Sequence, residues 1–200
     1  RMRAFKPAVL VPSHTRPLVG EDLIAATLTD YRDAIRYVHD QTLRMINQGH
    51  TPDEIAALLK LPAHLAASPW LQEFYGTPAW SARGIFAGNL GWYDGNPSSL
   101  RPLPPDETAR RMVELAGGID ALADRIVKAQ QAGESQWALQ LSDYVLRVQP
   151  GHAAVRAARI RALRALGERE ANPNARHWYL MTAGEIAGEF DLPKRILTPT

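Results

Sequence analysis

Histidine is the residue of this sequence best suited to metal or acid–base chemistry, and one copy directly follows a short apolar run. The run at residues 9–11 leads through Pro12 to His14, and Pro17 and Gly20 bound the segment that follows. A histidine at the end of a strand can supply one ligand to a metal, but a catalytic zinc site needs about three protein ligands. The position suits an ordinary loop histidine equally well, and the residues alone leave both interpretations open.

The other histidines do not complete such a site. The sequence contains no His-x-His motif, no His-Glu-x-x-His motif and no glycine-rich phosphate loop, so it encodes no complete metal or nucleotide site. We interpret His39 and Asp40 as a hydrogen-bonded pair that helps to pack a long helix. The rest are predicted to face solvent in loops or at helix ends: His50, His64, His152 and His177.

Two arginines, Arg32 and Arg36, are spaced one helical turn apart. A guanidinium group presents paired N–H donors that match a tetrahedral oxyanion, so this placement suits sulfate or phosphate. The alternative is a surface ion pair with Asp33 or Asp40, and the spacing alone favours that alternative.

Aromatic residues are dense between residues 70 and 93. They form either a packed helical core or an apolar wall that meets a partner or a hydrophobic ligand, and both interpretations predict burial. The residues concerned are Trp70, Phe74, Tyr75, Trp80, Phe86, Trp92 and Tyr93.

The composition excludes several classes of protein. The 200 residues are 46% hydrophobic, and 23 Lys and Arg against 21 Asp and Glu leave a net charge of only +2. No block of five like charges occurs, which argues against a nucleic-acid partner. No apolar run approaches the roughly 18 residues of a membrane span. The absence of cysteine excludes disulfides and thiolate metal sites.

The apolar pattern predicts a body that is all-α. Residues 9–11 form the one predicted strand, with no partner strand later in the chain, so we expect them to belong to a sheet that lies upstream. Apolar spacing of three and four residues then predicts helices. Their ranges are 21–49, 52–61 (with a further turn at 69–75), 78–92, 106–116, 119–132, 135–148, 153–166 and 174–190, with a proline-rich connection at 94–105. The later helices pair like stacked tetratricopeptide units, with Ala129, Ala138, Ala157 and Ala162 expected at the crossings, although the full repeat signature is missing.

Four strings of this sequence resemble a known family. YRDAIRYVHDQTLRMINQG at residues 31–49 and LQEFYGTPAWSARGIFAGNLGWYDGNP at 71–97 are similar to the helical part of bacterial alkyl sulfatases of the metallo-β-lactamase superfamily. LRPLPP at 100–105 and QWALQLSD at 136–143 follow in the same order. The resemblance covers nearly the whole chain.

This resemblance implies a domain organisation. Residues 1–20 would be the end of a metallo-β-lactamase-fold catalytic domain of αββα architecture. Residues 21–190 would be the helical dimerisation domain, and residues 191–200 would be a linker to a sterol-carrier-like domain. The full-length enzyme would be a homodimer with two zinc ions per subunit.

The resemblance also implies an activity and two site residues. The activity is hydrolysis of alkyl sulfate esters, such as dodecyl sulfate, to alcohol and sulfate. His14 would be the last zinc ligand, and Arg32, or Arg36 if the register shifts by one turn, would bind the sulfate. No catalytic residue would lie in this segment, which would be inactive alone. The alternatives are a helical-repeat interaction module without enzymatic activity, or another hydrolase of the metallo-β-lactamase fold.

Overall fold

The computed structural model describes residues 2–190, so the predicted linker at 191–200 lies outside the described residues. The chain divides into two compact units, Arg1–Leu100 and Arg101–Thr200. The division falls within the proline-rich connection predicted at 94–105.

The first unit begins with a small antiparallel hairpin that the sequence analysis missed. Strand β1 (Val9–Leu10) pairs with strand β2 (Leu18–Val19), so that Val9 lies opposite Val19. The prediction that the first strand has no partner was therefore wrong. The expectation that this strand belongs to an upstream sheet rested on the missing partner, so it no longer has that support. Two residues per strand are too few to produce a recognisable alternation of apolar and polar side chains. Leu18 anchors the hairpin because its side chain is buried.

The long predicted helix is present as α1 (Glu21–Asn47). Its buried side is built from residues three, four or seven positions apart: Ile24, Thr27, Ala34, Val38 and Thr42. Gly20 and Gly49 bracket the helix, both with positive φ angles, and this conformation favours glycine. The two glycines therefore set where α1 begins and ends.

Three shorter α-helices follow α1 in the described part of the first unit, residues 2–100. Helix α2 (Pro52–Leu58) begins with the predicted capping box, in which Thr51 and Glu54 exchange backbone and side-chain hydrogen bonds. It ends before the predicted residue 61, because Leu59 leaves the helical conformation and packs into the core. Helix α3 (Ala63–Ala66) follows Pro62, and residues 69–75 form no helix. Helix α4 (Pro78–Leu90) starts at the Thr77 cap.

The described part of the second unit, residues 101–190, is a stack of five α-helices. They are α5 (Pro105–Leu115), α6 (Ile119–Gln131), α7 (Ser135–Val148), α8 (Ala153–Arg169) and α9 (Pro173–Ala187). All five lie within a few residues of their predicted bounds. Small side chains at the crossings allow close approach: Ala129, Ala138 and Ala162 are buried as predicted, but Ala158 takes the place expected for Ala157. The all-α prediction is thus confirmed for the described body outside the hairpin.

Within residues 2–190, every helix is too short or too polar to cross a membrane.

Candidate functional site

His14 lies in the loop between β1 and β2, not at the strand end that the sequence suggested. Its side chain is exposed. Its imidazole contacts the ring of Tyr75, with 5.2 Å between ring centroids and 37° between the ring planes. The hairpin loop is thereby attached to the irregular segment that precedes α4.

Within residues 2–190, His14 is not part of a complete metal site. Among residues 2–190 there is no group of three or more His, Cys, Asp or Glu side chains that could hold a metal ion. An exposed imidazole fits one position in a zinc coordination shell, and the other ligands of a catalytic site must come from elsewhere. His14 is therefore compatible with a metal site whose other ligands lie outside residues 2–190. The described residues do not form a metal site of three or more ligands by themselves.

The other histidines are not grouped with His14. His50 lies 3.6 Å from the carboxylate of Glu54. His152 caps α8 by accepting a hydrogen bond from the backbone N–H of Val155. His64 and His177 are exposed within α3 and α9, and His177 is therefore not in a loop.

Arg32 is engaged in a two-point ion pair. Its Nε and Nη2 atoms donate to the two carboxylate oxygens of Asp33 at 2.7 and 3.0 Å. The hydrogen bond from Arg32 lowers the pKa of Asp33, and the bond to Asp33 raises the pKa of Arg32. This is one of the two ion pairs that the spacing favoured. Arg36 is exposed and has no ion pair within the described residues.

His39 and Asp40 form the predicted hydrogen bond, with 3.1 Å between the histidine Nδ1 and the carboxylate. Both side chains are at least half-exposed, so the prediction that this pair packs α1 against the core was wrong.

The aromatic block divides between core and surface. Phe86 is buried, whereas the side chains of Trp92, Tyr75 and Phe74 are 74%, 53% and 49% exposed. Burial of the whole block was therefore a wrong expectation. The spacing of aromatic residues on α4 and its flanking loop does not reveal which side chains the remaining helices cover.

Part of this aromatic surface forms an open groove in the first unit. The groove has a volume of about 640 Å³ and lies between α1, the segment at residues 69–77 and the start of α4. Thr15, next to His14, contributes to its lining. Its apolar walls are formed by Tyr31, Ile35, Trp70, Leu71, Phe74 and Tyr75.

The second unit carries another apolar groove, between α5, α6 and α7. It has a volume of about 530 Å³, and its lining includes Leu115, Trp137 and Tyr144, with Arg125 and Lys128 also present. The side chain of Leu115 is 80% exposed and that of Trp137 is 53% exposed. The sequence analysis did not single out either residue, because each fits a helical apolar pattern that normally faces a core.

The comparisons agree on one type of protein. Residues 51–189 match the family model described as alkyl sulfatase dimerisation. The chain is 44% identical to the linear primary-alkylsulfatase of Pseudomonas sp. (strain ATCC 19151) over 192 residues, covering 96% of this chain and 36% of that protein. It is 35% identical to the alkyl/aryl-sulfatase BDS1 of Saccharomyces cerevisiae, covering 95% of this chain and 29% of that protein.

A solved structure shows the same fold. The stereoselective inverting sec-alkylsulfatase Pisa1 from Pseudomonas sp. superposes with a TM-score of 0.87 at 34% identity, over 94% of this chain and 29% of that chain. The chain thus spans about a third of the length of the curated relatives it matches.

Proposed function

This chain belongs to the alkyl sulfatase dimerisation family, and we propose that it forms part of a zinc-dependent alkyl sulfatase. The enzyme would hydrolyse alkyl sulfate esters, such as dodecyl sulfate, to an alcohol and sulfate. The observation that carries this proposal is similarity along nearly the whole chain to proteins named as alkylsulfatases. The similarity extends beyond the matched family model to the region that contains Arg32.

His14 would donate one imidazole nitrogen to a zinc ion. Two zinc ions per subunit would take their other ligands from parts of the enzyme outside this chain, which would include a metallo-β-lactamase-fold domain ending at residue 20. Bound zinc supplies Lewis-acid polarisation of the sulfate group. The exposed position of His14 in the hairpin loop supports this role. A buried imidazole could not bind a zinc ion whose other ligands come from another domain.

Arg32 would bind the sulfate group of the ester. Its guanidinium group stays cationic because arginine is not deprotonated in proteins, so it would hold an anion without proton exchange. Asp33 accepts from the Nε and Nη2 atoms of Arg32 in this structure. A guanidinium group has five N–H donors, so the donors that Asp33 leaves open would bind the substrate sulfate.

The sulfate role is tested in the full-length enzyme by comparing Arg32→Ala with Arg36→Ala. Loss of an arginine that binds the transition state should lower kcat/KM for a sulfate ester by roughly 100-fold or more. We expect this loss in Arg32→Ala. The same loss in Arg36→Ala instead would move the role one turn along α1, and normal turnover of both variants would exclude both arginines.

We also propose that the protein is a homodimer through residues 21–190. The family description supports a role in dimerisation. The exposed apolar side chains of Leu115 and Trp137 support it physically, because large exposed apolar groups commonly mark protein interfaces.

A further inference from the structure

The groove of the first unit has an apolar floor that is built by one side of α1. Tyr31, Ile35 and His39 succeed each other at intervals of four residues and all line the groove. Ile35 is 67% exposed, which is high for an isoleucine in the middle of a 27-residue helix. Tyr31 and Ile35 therefore give the floor an accessible apolar surface, and His39 adds a polar ring at one end.

The opposite wall consists of the irregular segment between α3 and α4. Trp70, Leu71, Phe74 and Tyr75 line this wall, and Glu73 adds a carboxylate to the lining. A volume of about 640 Å³ lies in the range of small-molecule sites, roughly 300–1,000 Å³, which are mostly apolar with few polar groups.

Cationic side chains flank the apolar floor. Arg32 and Arg36 each follow a groove residue in sequence, so they lie roughly 100° around α1 from Tyr31 and Ile35. The result is one helix with an apolar stripe beside two arginines, of which Arg32 is paired with Asp33 and Arg36 has no ion pair within residues 2–190. This arrangement matches an amphiphile that has an anionic head and a hydrocarbon tail.

His14 lies at the margin of the same groove. Its ring contacts Tyr75, a lining residue, and its neighbour Thr15 is itself part of the lining. If the head group of a ligand is bound near His14, the groove is the apolar surface next to it that its hydrocarbon chain can contact.

We propose that this groove binds the hydrocarbon chain of the substrate and sets the preferred chain length, with Ile35 as the central contact. The inference rests on the proposed function for the identity of the head group. Its physical basis is that each methylene transferred from water to an apolar wall strengthens binding by roughly fourfold. Long esters should therefore gain affinity over short ones through the groove alone.

The experiment measures kcat/KM of the full-length enzyme for butyl, octyl and dodecyl sulfate. Wild type is compared with Ile35→Gln, which keeps a good helix former while removing the hydrocarbon contact. Leu58→Gln is the matched control, because Leu58 is also an exposed aliphatic residue of the first unit (58% exposed) and does not line the groove. In parallel, binding of dodecanol and butanol is measured calorimetrically, and the oligomeric state is measured by light scattering.

The expected result is a loss of chain-length preference in Ile35→Gln alone. Its kcat/KM for dodecyl sulfate should fall at least tenfold while that for butyl sulfate is retained, and its affinity for dodecanol should fall in parallel. An unchanged preference overturns the proposal. An equal fall in kcat/KM for all three esters also overturns it. Loss of dimerisation with the chain-length preference intact overturns it as well, and would indicate that the groove binds a second copy of the chain.

The alcohol measurement separates failure of this inference from failure of the proposed function. Wild type that releases no sulfate from any ester, yet binds dodecanol in a manner that depends on Ile35, would refute the sulfatase and retain the groove as a hydrocarbon site. Sulfate release together with dodecanol binding that does not depend on Ile35 would support the sulfatase and refute the groove as the hydrocarbon site.

Discussion

The ring of His14 lies against the ring of Tyr75, although the two residues are far apart in sequence. The contact joins the hairpin loop to the wall of the first-unit groove. It restricts the positions available to the imidazole, and a ligand that is fixed before the metal binds loses less entropy on binding. We therefore expect Tyr75 to act as a positioning residue for the proposed zinc ligand.

Tyr75→Ala should weaken zinc binding by the full-length enzyme, by roughly tenfold, the low end of the effects seen for groups that orient a ligand. Tyr75→Phe keeps the ring and should retain most of the affinity. Competition with a fluorescent chelator measures both variants. Equal zinc affinity in Tyr75→Ala and wild type would show that the ring contact does not position His14.

The Arg32–Asp33 ion pair predicts a lowered pKa for the Asp33 carboxyl group. The Asp33 carboxylate accepts two hydrogen bonds from Arg32, and Arg36 and Arg3 add attraction, so its pKa lies below the ordinary aspartate value of about 3.9. A lowered folded-state pKa means that the pair stabilises the fold above the unfolded-state pKa and is lost as pH falls through the folded-state pKa. Both side chains are well exposed, so the effect on total stability is small.

Carbon-detected NMR of the Asp33 carboxyl group measures this pKa directly. Arg32→Ala should move the midpoint upward, towards the ordinary value. A midpoint already at the ordinary value in wild type would show that the pair does not persist in solution.

Two helical glycines should respond in opposite ways to alanine. A Cβ atom at Gly167 on α8 would lie 2.7 Å from Cδ2 of Leu180 and 3.2 Å from Cβ of Tyr179, so Gly167→Ala should destabilise the protein by about 1–3 kcal/mol. Gly84 on α4 has no heavy atom within 4 Å of the same position, so Gly84→Ala should stabilise by up to about 1 kcal/mol. Chemical denaturation measures both. Stabilisation by Gly167→Ala would contradict the close packing of α8 against α9.

The second-unit groove should contribute to the proposed dimer. Leu115→Glu combined with Trp137→Glu places charge on its most exposed apolar side chains and should raise the dimer dissociation constant at least tenfold, since an unpaired charge is costly to bury. Leu100→Glu combined with Leu103→Glu adds the same two charges to half-exposed residues outside the groove and should change the constant little. Sedimentation velocity gives the dissociation constants, and an unchanged dimer in the double variant would place the interface elsewhere.

Local signals made most of the helical fold predictable. The Thr51–Glu54 capping box, the positive-φ glycines and the three- and four-residue apolar spacing are properties of neighbouring residues, and they located nearly every helix. The end of α2 was misplaced because Leu59 departs from the helix to reach the core, which is a tertiary effect.

Non-local features could not be predicted from the same signals. The hairpin has two-residue strands and no periodicity, and the contact between His14 and Tyr75 depends on how the loop before α4 folds. The residues for zinc and sulfate were suggested by the family resemblance, since spacing alone favoured an ion pair for Arg32. The structure contains such a pair, with Asp33.

The most direct test of the central claim is release of sulfate from dodecyl sulfate by the full-length enzyme, with and without a zinc chelator, in wild type and in His14→Ala. The account predicts release by wild type that chelation abolishes and added zinc restores. It also predicts that His14→Ala has lost most of the activity and binds less zinc per subunit. Sulfate release that survives chelation, or a His14→Ala variant with full zinc content and full activity, would contradict it.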